Sequence, residues 1–366
     1  MKFKKLFALA VAGIMTMSFT ACGNNSQSAD SDTFKIGGIG PLTGDAANYG
    51  NSVKNGCQVA VDEINAAGGA NGKKLELLFE DDVNDAEKSV NAYNTLMDQG
   101  VQAIVGSVTS SPCIAVAAES ANDGILQITP SGSAKECTAG SNAFRICFTD
   151  PLQGEVMAKY IKDKGINKIA MIYDDSFAAK FTELGGQLVD DESFSKGDID
   201  FKTQLTKVKT SGAEALFLPI YYTEVGYISQ QAATLGLNIP YYGCDGWDGI
   251  IKQLNGDTKN IEGATYLTPF VATDTSEKVQ AFVNTYKEKY NAEPDQFAAD
   301  GYDAVYAIKA AIEKAGDDTS NEALVSAMTQ ISVNGLTGDM TFDENGEPNK
   351  SAKVVVIKDG QYVAQN

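Results

Sequence analysis

The sequence predicts an α/β protein of two similar halves, each a parallel sheet with helices on both faces. Three observations lead there. Short apolar, β-branched runs alternate with longer segments whose apolar residues recur every three or four positions. This alternation runs to about residue 128 and starts again after Phe144-Arg145-Ile146-Cys147. The chain beyond residue 33 is also too long for one ordinary core and suits two domains.

The elements follow in order. Residues 34–39 make a strand that ends in the loop Gly40-Pro41-Leu42-Thr43-Gly44. Val53, Cys57, Ala60, Val61 and Ile64 then share one helical face, and Gly68-Gly69 stops that helix. Residues 74–80 alternate, with Leu75, Leu77 and Phe79 on one side of a strand. Val90, Tyr93 and Leu96 mark a helix, 101–105 a buried strand, 110–122 a helix and 125–128 a strand. A βαβ series of this kind gives a parallel sheet. The second half reads as helix 151–164, strand 168–173, helix 177–191, strand 215–219, helix 223–235 and strand 241–243. A strand near 265–267 follows, then helices at 276–289, 296–314 and 321–331. Strands at 340–342 and 354–357 end the chain, the latter turning at Asp359-Gly360. The late return of helices and strands implies two lobes joined by several crossovers.

Composition excludes much chemistry. There is no histidine, which removes Ser-His-Asp and Cys-His catalysis, histidine-ligated metals and imidazole proton shuttles. No cysteine pair has a CxxC spacing, so zinc and dithiol redox motifs are not expected. Cys137 and Cys147 flank a Gly/Ser/Asn loop; a disulfide between them is one expectation, two free thiols the other. The net charge is −19, and losing the three N-terminal lysines takes it to −22. Such a body repels nucleic acid and anionic lipid heads.

The N-terminus reads as an export leader. Lys2, Lys4 and Lys5 precede an apolar run over 6–17, and small residues lead to Cys22. A cysteine directly after a small residue is similar to the lipobox of bacterial lipoproteins, which implies lipidation at Cys22. The alternative is an ordinary leader with a stray cysteine. Residues 23–33 are nearly all small or polar and read as a tether.

In open parallel sheets, ligands bind outside the carboxyl ends of the strands. Two such ends are rich in hydroxyls: Gly106-Ser107-Val108-Thr109-Ser110-Ser111-Pro112, which opens a helix, and Thr129-Pro130-Ser131-Gly132-Ser133. Together they suit one small carboxylate, since free N–H groups and the dipole at a helix start favour an anion. Helix capping by Ser110 or Ser111 and a plain turn at 131–133 remain the alternative. In the second half, Tyr221 and Tyr222 follow one strand and Gly243-Cys244-Asp245-Gly246-Trp247-Asp248 another. A carboxylate beside aromatic rings suits an ammonium group. An Asx turn at Asp245 with Trp247 filling core is the bland counterpart. Gly38-Ile39-Gly40-Pro41-Leu42-Thr43-Gly44 has the wrong spacing for a dinucleotide loop. Asp343-Glu344-Asn345-Gly346 reads as a turn rather than a calcium loop.

Several stretches together resemble a known family. Ile36-Gly37-Gly38-Ile39-Gly40-Pro41-Leu42-Thr43-Gly44, with Tyr49-Gly50 after it, is similar to the opening of the leucine/isoleucine/valine-binding proteins of ABC importers. So are Ala60-Val61-Asp62-Glu63-Ile64-Asn65-Ala66-Ala67-Gly68-Gly69, Asn71-Gly72-Lys73-Lys74-Leu75 and Ile172-Tyr173-Asp174-Asp175. Gly243-Cys244-Asp245-Gly246-Trp247 and Thr341-Phe342-Asp343-Glu344-Asn345-Gly346 complete the likeness. The resemblance implies the type I periplasmic-binding-protein fold, with two Rossmann-like lobes of parallel sheets joined by three crossovers. It implies a leader over 1–21, a lipidated tether over 22–33, one lobe from 34–148 plus 271–336, and another from 149–270 plus 337–366. By the same resemblance Ser110 and Ser133 hold an amino-acid carboxylate within the 131–133 turn, which includes Gly132. The Ser131 carbonyl and Asp245 take the ammonium. Tyr49, Tyr221 and Trp247 line the cleft, with Phe297 and Tyr302 near the side-chain pocket. Relatives often carry a tyrosine where this chain has Phe177, so the preferred side chain is open, and some relatives bind amides or aromatic acids.

The expectation is therefore a lipid-anchored, monomeric receptor outside the cytoplasmic membrane. It captures an amino acid, branched-chain by resemblance, and delivers it to an ABC permease and its ATPase. No cofactor, metal or nucleic acid is expected. A ligand sensor is the alternative reading. An amidase is the enzyme reading, and no nucleophile in the sequence has an evident base partner.

Overall fold

The structure, a computed structural model, describes residues 33–172, 175–195 and 197–365, with only the backbone for 175–177. The expected leader, nearly all of the tether, Cys22 and the Phe177 side chain lie outside the described residues.

The first sheet holds β1 (Thr33–Gly40), β2 (Lys74–Asp81), β3 (Ala103–Val105), β4 (Leu126–Thr129) and β5 (Ala143–Arg145). Their order is β2-β1-β3-β4-β5 and every pairing is parallel. Helices α1 (Ala47–Ala66), α2 (Ala86–Asp98) and α3 (Ser110–Asp123) connect them. Caps end these helices locally: the Asp85 carboxylate accepts from Lys88 N at the start of α2. Gly124, at φ 65°, ends α3. Tyr93, Leu96 and Val116 of α2 and α3 pack with Ile39 and Ile104 on one sheet face.

The second half repeats the plan. Helix α4 (Asp150–Asp163) leads to β6 (Lys168–Ile172), α5 (Asp175–Glu183), β7 (Gln187–Glu192), α6 (Lys202–Ser211) and β8 (Ala215–Leu218). Then come α7 (Tyr222–Thr234), β9 (Tyr241–Gly243), a single 3₁₀ turn (Asp245–Trp247), α8 (Ile250–Gln253) and β10 (Thr265–Thr268). The chain returns to the first sheet with α9 (Glu277–Tyr290), α10 (Gln296–Ala315) and α11 (Asn321–Met328). The short pair β11 (Val333–Asn334) and β12 (Asp339–Met340) follows. The hairpin β13 (Lys353–Lys358) and β14 (Gln361–Ala364) adds antiparallel strands to β10. The seven-stranded order is β14-β13-β10-β9-β8-β6-β7. Its parallel part repeats the first sheet's order, so loops after β3 and β4 correspond to loops after β8 and β9.

The chain passes three times between the two sheets: after β5, after β10, and before β13. Up to Glu347 it stays against the first sheet, since Arg145 N donates to Gly346 O at 3.0 Å and the Phe342 ring meets Phe144 edge-on. Helices α1 and α10 approach closely. A Cβ added at Gly56 would fall 1.8 Å from Ala298 O, and one at Gly301 2.5 Å from Val53 O.

Some expected elements differ. The helix foreseen over 177–191 is α5 followed by strand β7. Gly185, at φ 77°, ends α5, and Gly186 packs so tightly on the Phe181 ring that a Cβ would sit 2.4 Å from it. Helix α6 was not foreseen, because only Leu205 and Val208 of its ten residues are buried. The terminal strand pairing foreseen at 340–342 is only two residues long, and Phe342 bridges to Pro348 instead. The disulfide between Cys137 and Cys147 is absent; both are free thiols. The Cys137 thiol points to Ser110 O at 3.7 Å, while Cys147 lies among Arg145, Asp300 and Asp245. Among the described residues, no helix is long and apolar enough to cross a membrane.

Candidate functional site

The loops after β3 and β4 are tied into one surface. Thr129 Oγ1 donates to Ser107 O at 2.8 Å, and Ser131 Oγ donates to Val108 O at 2.7 Å. Gly132 N donates to Thr129 Oγ1 at 2.9 Å. Only glycine fits at 132, since a Cβ there would lie 2.7 Å from Thr129 Oγ1 and 3.0 Å from Cys137 Sγ. Arg145 anchors the turn from beneath. Fully buried, it donates to Gly132 O at 2.7 Å and Ala134 O at 3.1 Å, and pairs with Glu347 at 2.8 Å. The sequence reading passed over Arg145, although a lone arginine in an apolar strand is a signal of its own.

Ser110 opens α3, and its Oγ accepts from Ala134 N at 3.2 Å. The hydroxyl proton is left to donate elsewhere. The residue before the helix, Thr109, gives its hydroxyl to Asn84 Oδ1 and does not cap. The start of α3 therefore has no side-chain cap, and the capping alternative for Ser110 is not what forms. An uncapped helix start beside a free serine proton suits an anion. Ser133 is half-buried, and its carbonyl accepts from Asp150 N at 3.1 Å, which ties this turn to the start of α4.

On the second sheet, Asp245 occupies the turn after β9. Its Oδ1 accepts from Gln153 Nε2 at 3.0 Å, and its N–H donates to Gln153 Oε1 at 2.9 Å. Its carbonyl accepts from Gln296 Nε2 at 2.8 Å. Burial pushes the carboxyl up to about 7, and the Asp150 carboxylate adds to the push. Gln153 offsets only part of this. Asp245 takes part in no ion pair among the described residues, and Asp150 is a second acid close enough to raise its carboxyl.

Aromatic rings join the two sets of loops. Tyr49 of α1 is buried and donates its hydroxyl to Gly246 O at 2.6 Å. Its ring lies 5.1 Å from Tyr221, 5.0 Å from Tyr222 and 4.3 Å from Phe297, centre to centre. Tyr222 donates to Asp45 O at 2.8 Å and so also spans the two parts. A cleft of about 620 Å³ opens beside Tyr221, reaching Asp45, Asn84 and Ser111 on one side and Phe194 and Thr223 on the other; Ser110, Ser131, Ser133, Asp245, Tyr49 and Phe297 do not line it. That volume suits a small molecule.

Two expected residues lie elsewhere. Trp247 is fully buried; its indole N–H donates to Leu218 O at 2.8 Å and its ring stacks over Tyr266. It fills core beneath the turn, which is the bland alternative. Tyr302 sits five residues past Phe297, about 140° around the helix. Its hydroxyl donates to Glu63 Oε2 at 2.6 Å and its ring stacks on Tyr306, so it belongs to the packing of α10 on α1.

The family model described as "Periplasmic binding protein" matches residues 33–361. A Leu/Ile/Val-binding protein homolog 3 of Brucella melitensis is 32% identical over 347 residues, 91% of this chain and 93% of that one. Among solved structures, a leucine binding protein LivK from Thermotoga maritima superposes with TM-score 0.84 at 31% identity, covering 91% of this chain and 98% of its own. The branched-chain amino acid transporter substrate binding protein LivJ from Streptococcus pneumoniae, in complex with isoleucine, gives 0.83 at 30%, covering 91% and 100%. An R. palustris solute binding protein in complex with benzoate gives 0.84 at 21%, covering 91% and 96%, a likeness of fold alone.

Proposed function

The chain belongs to the periplasmic binding protein family, and from that premise we propose that it is the extracytoplasmic solute-binding component of an ABC importer, taking an amino acid with a branched apolar side chain. The observation that carries this is Asp245, a buried carboxyl raised to about 7 and in no ion pair among the described residues; the start of α3, which has no side-chain cap, offers the anion partner. A zwitterion supplies both missing charges at once. Its ammonium pairs with Asp245 and the Ser131 carbonyl, and its carboxylate accepts from Ser110, Ser133 and the first N–H groups of α3. The side chain rests against Tyr49, Tyr221 and Phe297. Both charges leave water on binding, so each needs its partner. The loops come from both sheets, so ligand is held best when the two lobes close on it; the expected boundary at 336/337 moves to about 347, because Phe342 and Gly346 pack on the first sheet.

The protein is proposed to bind and release without turnover, as a monomer held to the membrane by lipid at Cys22, and to hand its ligand to a permease. Calorimetry with isoleucine and leucine tests the core of this. The wild type is expected to bind at least one of them, and Asp245→Asn to weaken binding by more than about a hundredfold, the loss typical of a buried charge left alone. Undiminished binding by Asp245→Asn overturns the assignment. Lipid at Cys22 is tested by metabolic labelling with a fatty acid, which Cys22→Ala should abolish.

A further inference from the structure

Gln153 breaks the pattern of its helix. On α4 it shares the buried face with Met157 and Ile161, at the spacing of an apolar stripe, and is itself only 3% exposed. An amide buried there is costly unless both of its ends are bonded. Both are, and to one residue: Oε1 accepts from Asp245 N at 2.9 Å, and Nε2 donates to Asp245 Oδ1 at 3.0 Å. The first bond fixes the second. A backbone N–H can only donate, so the Gln153 atom facing it is the oxygen, and the amide nitrogen is left to face the carboxyl. That nitrogen can only donate and an ionised carboxylate can only accept, so the pair is matched to a charged Asp245.

The start of α4 holds Gln153 in place. Thr149 Oγ1 caps the helix by accepting from Leu152 N at 3.3 Å, and Gln153 N donates to Thr149 O at 3.0 Å. In the same turn Asp150 N reaches Ser133 O at 3.1 Å, so the first turn of α4 touches the anion loop and Asp245 together. Around Asp245 stand Asp150, Cys244, Asp248, Tyr221 and Cys147, and also Asp300 of α10, which pairs with Lys350 at 3.8 Å. The carboxylates among them disfavour a charge on Asp245. Gln153 leads the groups that favour it, ahead of the Gly246 N–H and Cys244.

The geometry points to Gln153 as the positioning residue of the ammonium subsite: it engages Asp245 Oδ1, leaves Oδ2 for the ligand nitrogen and favours the charged carboxylate. This rests on the amino-acid reading of the site, and its test separates the two. Calorimetry with isoleucine or leucine, whichever binds the wild type, compares wild type and Gln153→Met across pH. Without the donor, Asp245 should keep its proton to a pH higher by about one unit, the scale of a hydrogen bond to a charged group. The ratio of wild-type to variant affinity, in which the ligand's own titration cancels, should then shrink by about fivefold from about pH 6.5 to about pH 8.5. A merely structural loss leaves that ratio flat. Carbon-13 NMR of the Asp245 carboxyl in the empty protein reads the same change without ligand, with a midpoint about 7 in the wild type and about one unit higher in Gln153→Met. Gln153→Asn, whose amide lies one methylene back, replaces Gln153→Met should the latter not fold, with the same trend expected. The inference is overturned by an unchanged NMR midpoint or by a flat affinity ratio. If the wild type binds no amino acid and the midpoint still moves, the amino-acid reading falls while the hold of Gln153 on Asp245 stands.

Discussion

Asp245 gives the proposed amino-acid site a pH signature. Its carboxyl is raised to about 7 by burial first and by Asp150 second, whereas an unfolded aspartate titrates near 4. A raised acid contributes stability that is fully present below about pH 4 and is lost as pH rises through about 7. The empty protein is therefore expected to lose up to a few kcal/mol from this group between those limits, and Asp245→Asn to flatten that slope. Denaturation of both proteins across the range checks it. An ammonium reverses the effect by favouring the ionised form. Below about pH 7, amino-acid binding should then release a proton, read from calorimetry in buffers of different ionisation heat. Ser110→Ala should weaken binding by about 1 kcal/mol, the scale of one hydrogen bond, because the N–H groups of α3 remain. If Ser110→Ala abolishes binding and Asp245→Ala does not, the dominant contact is misassigned. Trp247→Ala should act on folding instead, costing about 3–5 kcal/mol as a lost core ring. An affinity loss in Trp247→Phe as large as that in Asp245→Asn would return the ring to the cleft.

At the scale of elements, the α1–α10 pair sets the position of two rings of the proposed site. Tyr49 lies on α1 and Phe297 on α10, 4.3 Å apart. Their helices come together at Gly56 and Gly301, where no Cβ fits. Gly56→Ala should therefore destabilise by about 1–3 kcal/mol or more through overpacking, visible in denaturation midpoints. It should also weaken ligand by moving Tyr49 from Phe297. Glycines facing backbone atoms are visible in sequence only as glycines inside a helical pattern, and nothing local says what they face. The same holds for α6, whose two buried residues give too narrow a stripe to register as a helix. By contrast, Gly185 and Gly186 were a readable stop; the helix expected through them overlooked that punctuation.

At the scale of the whole molecule, ligand and conformation are linked. A ligand at a hundred times its dissociation constant should add about 2.7 kcal/mol of stability, and a thermal-shift screen of the common amino acids would rank candidates for the cleft. Tyr49 bonded to Gly246 and Tyr222 bonded to Asp45 already join the two sets of loops. If closure on ligand is what the lobes do, small-angle scattering should show a smaller radius of gyration with the best amino acid than without it. An unchanged radius together with tight binding would mean that the site is formed before ligand arrives.

Periodicity and strand-end composition were enough to recover two parallel α/β halves, the hydroxyl loops at 106–112 and 129–133, and the acid at 245, because each depends on spacing within a short segment. Whether a side chain faces ligand or core depends on packing between segments remote in sequence. The resemblance implied that Trp247 lines the cleft and that Tyr302 lies near it, yet Leu218 and Glu63 hold them in the interior. Arg145 stands out as a lone arginine in an apolar strand, but what it and Gln153 hold was not legible, since their partners lie 13 and 92 residues away. Distance along the chain hides such contacts, and only the folded arrangement shows that Asp245 is buried on Gln153 and in no ion pair among the described residues, the ground on which it is proposed to take an ammonium.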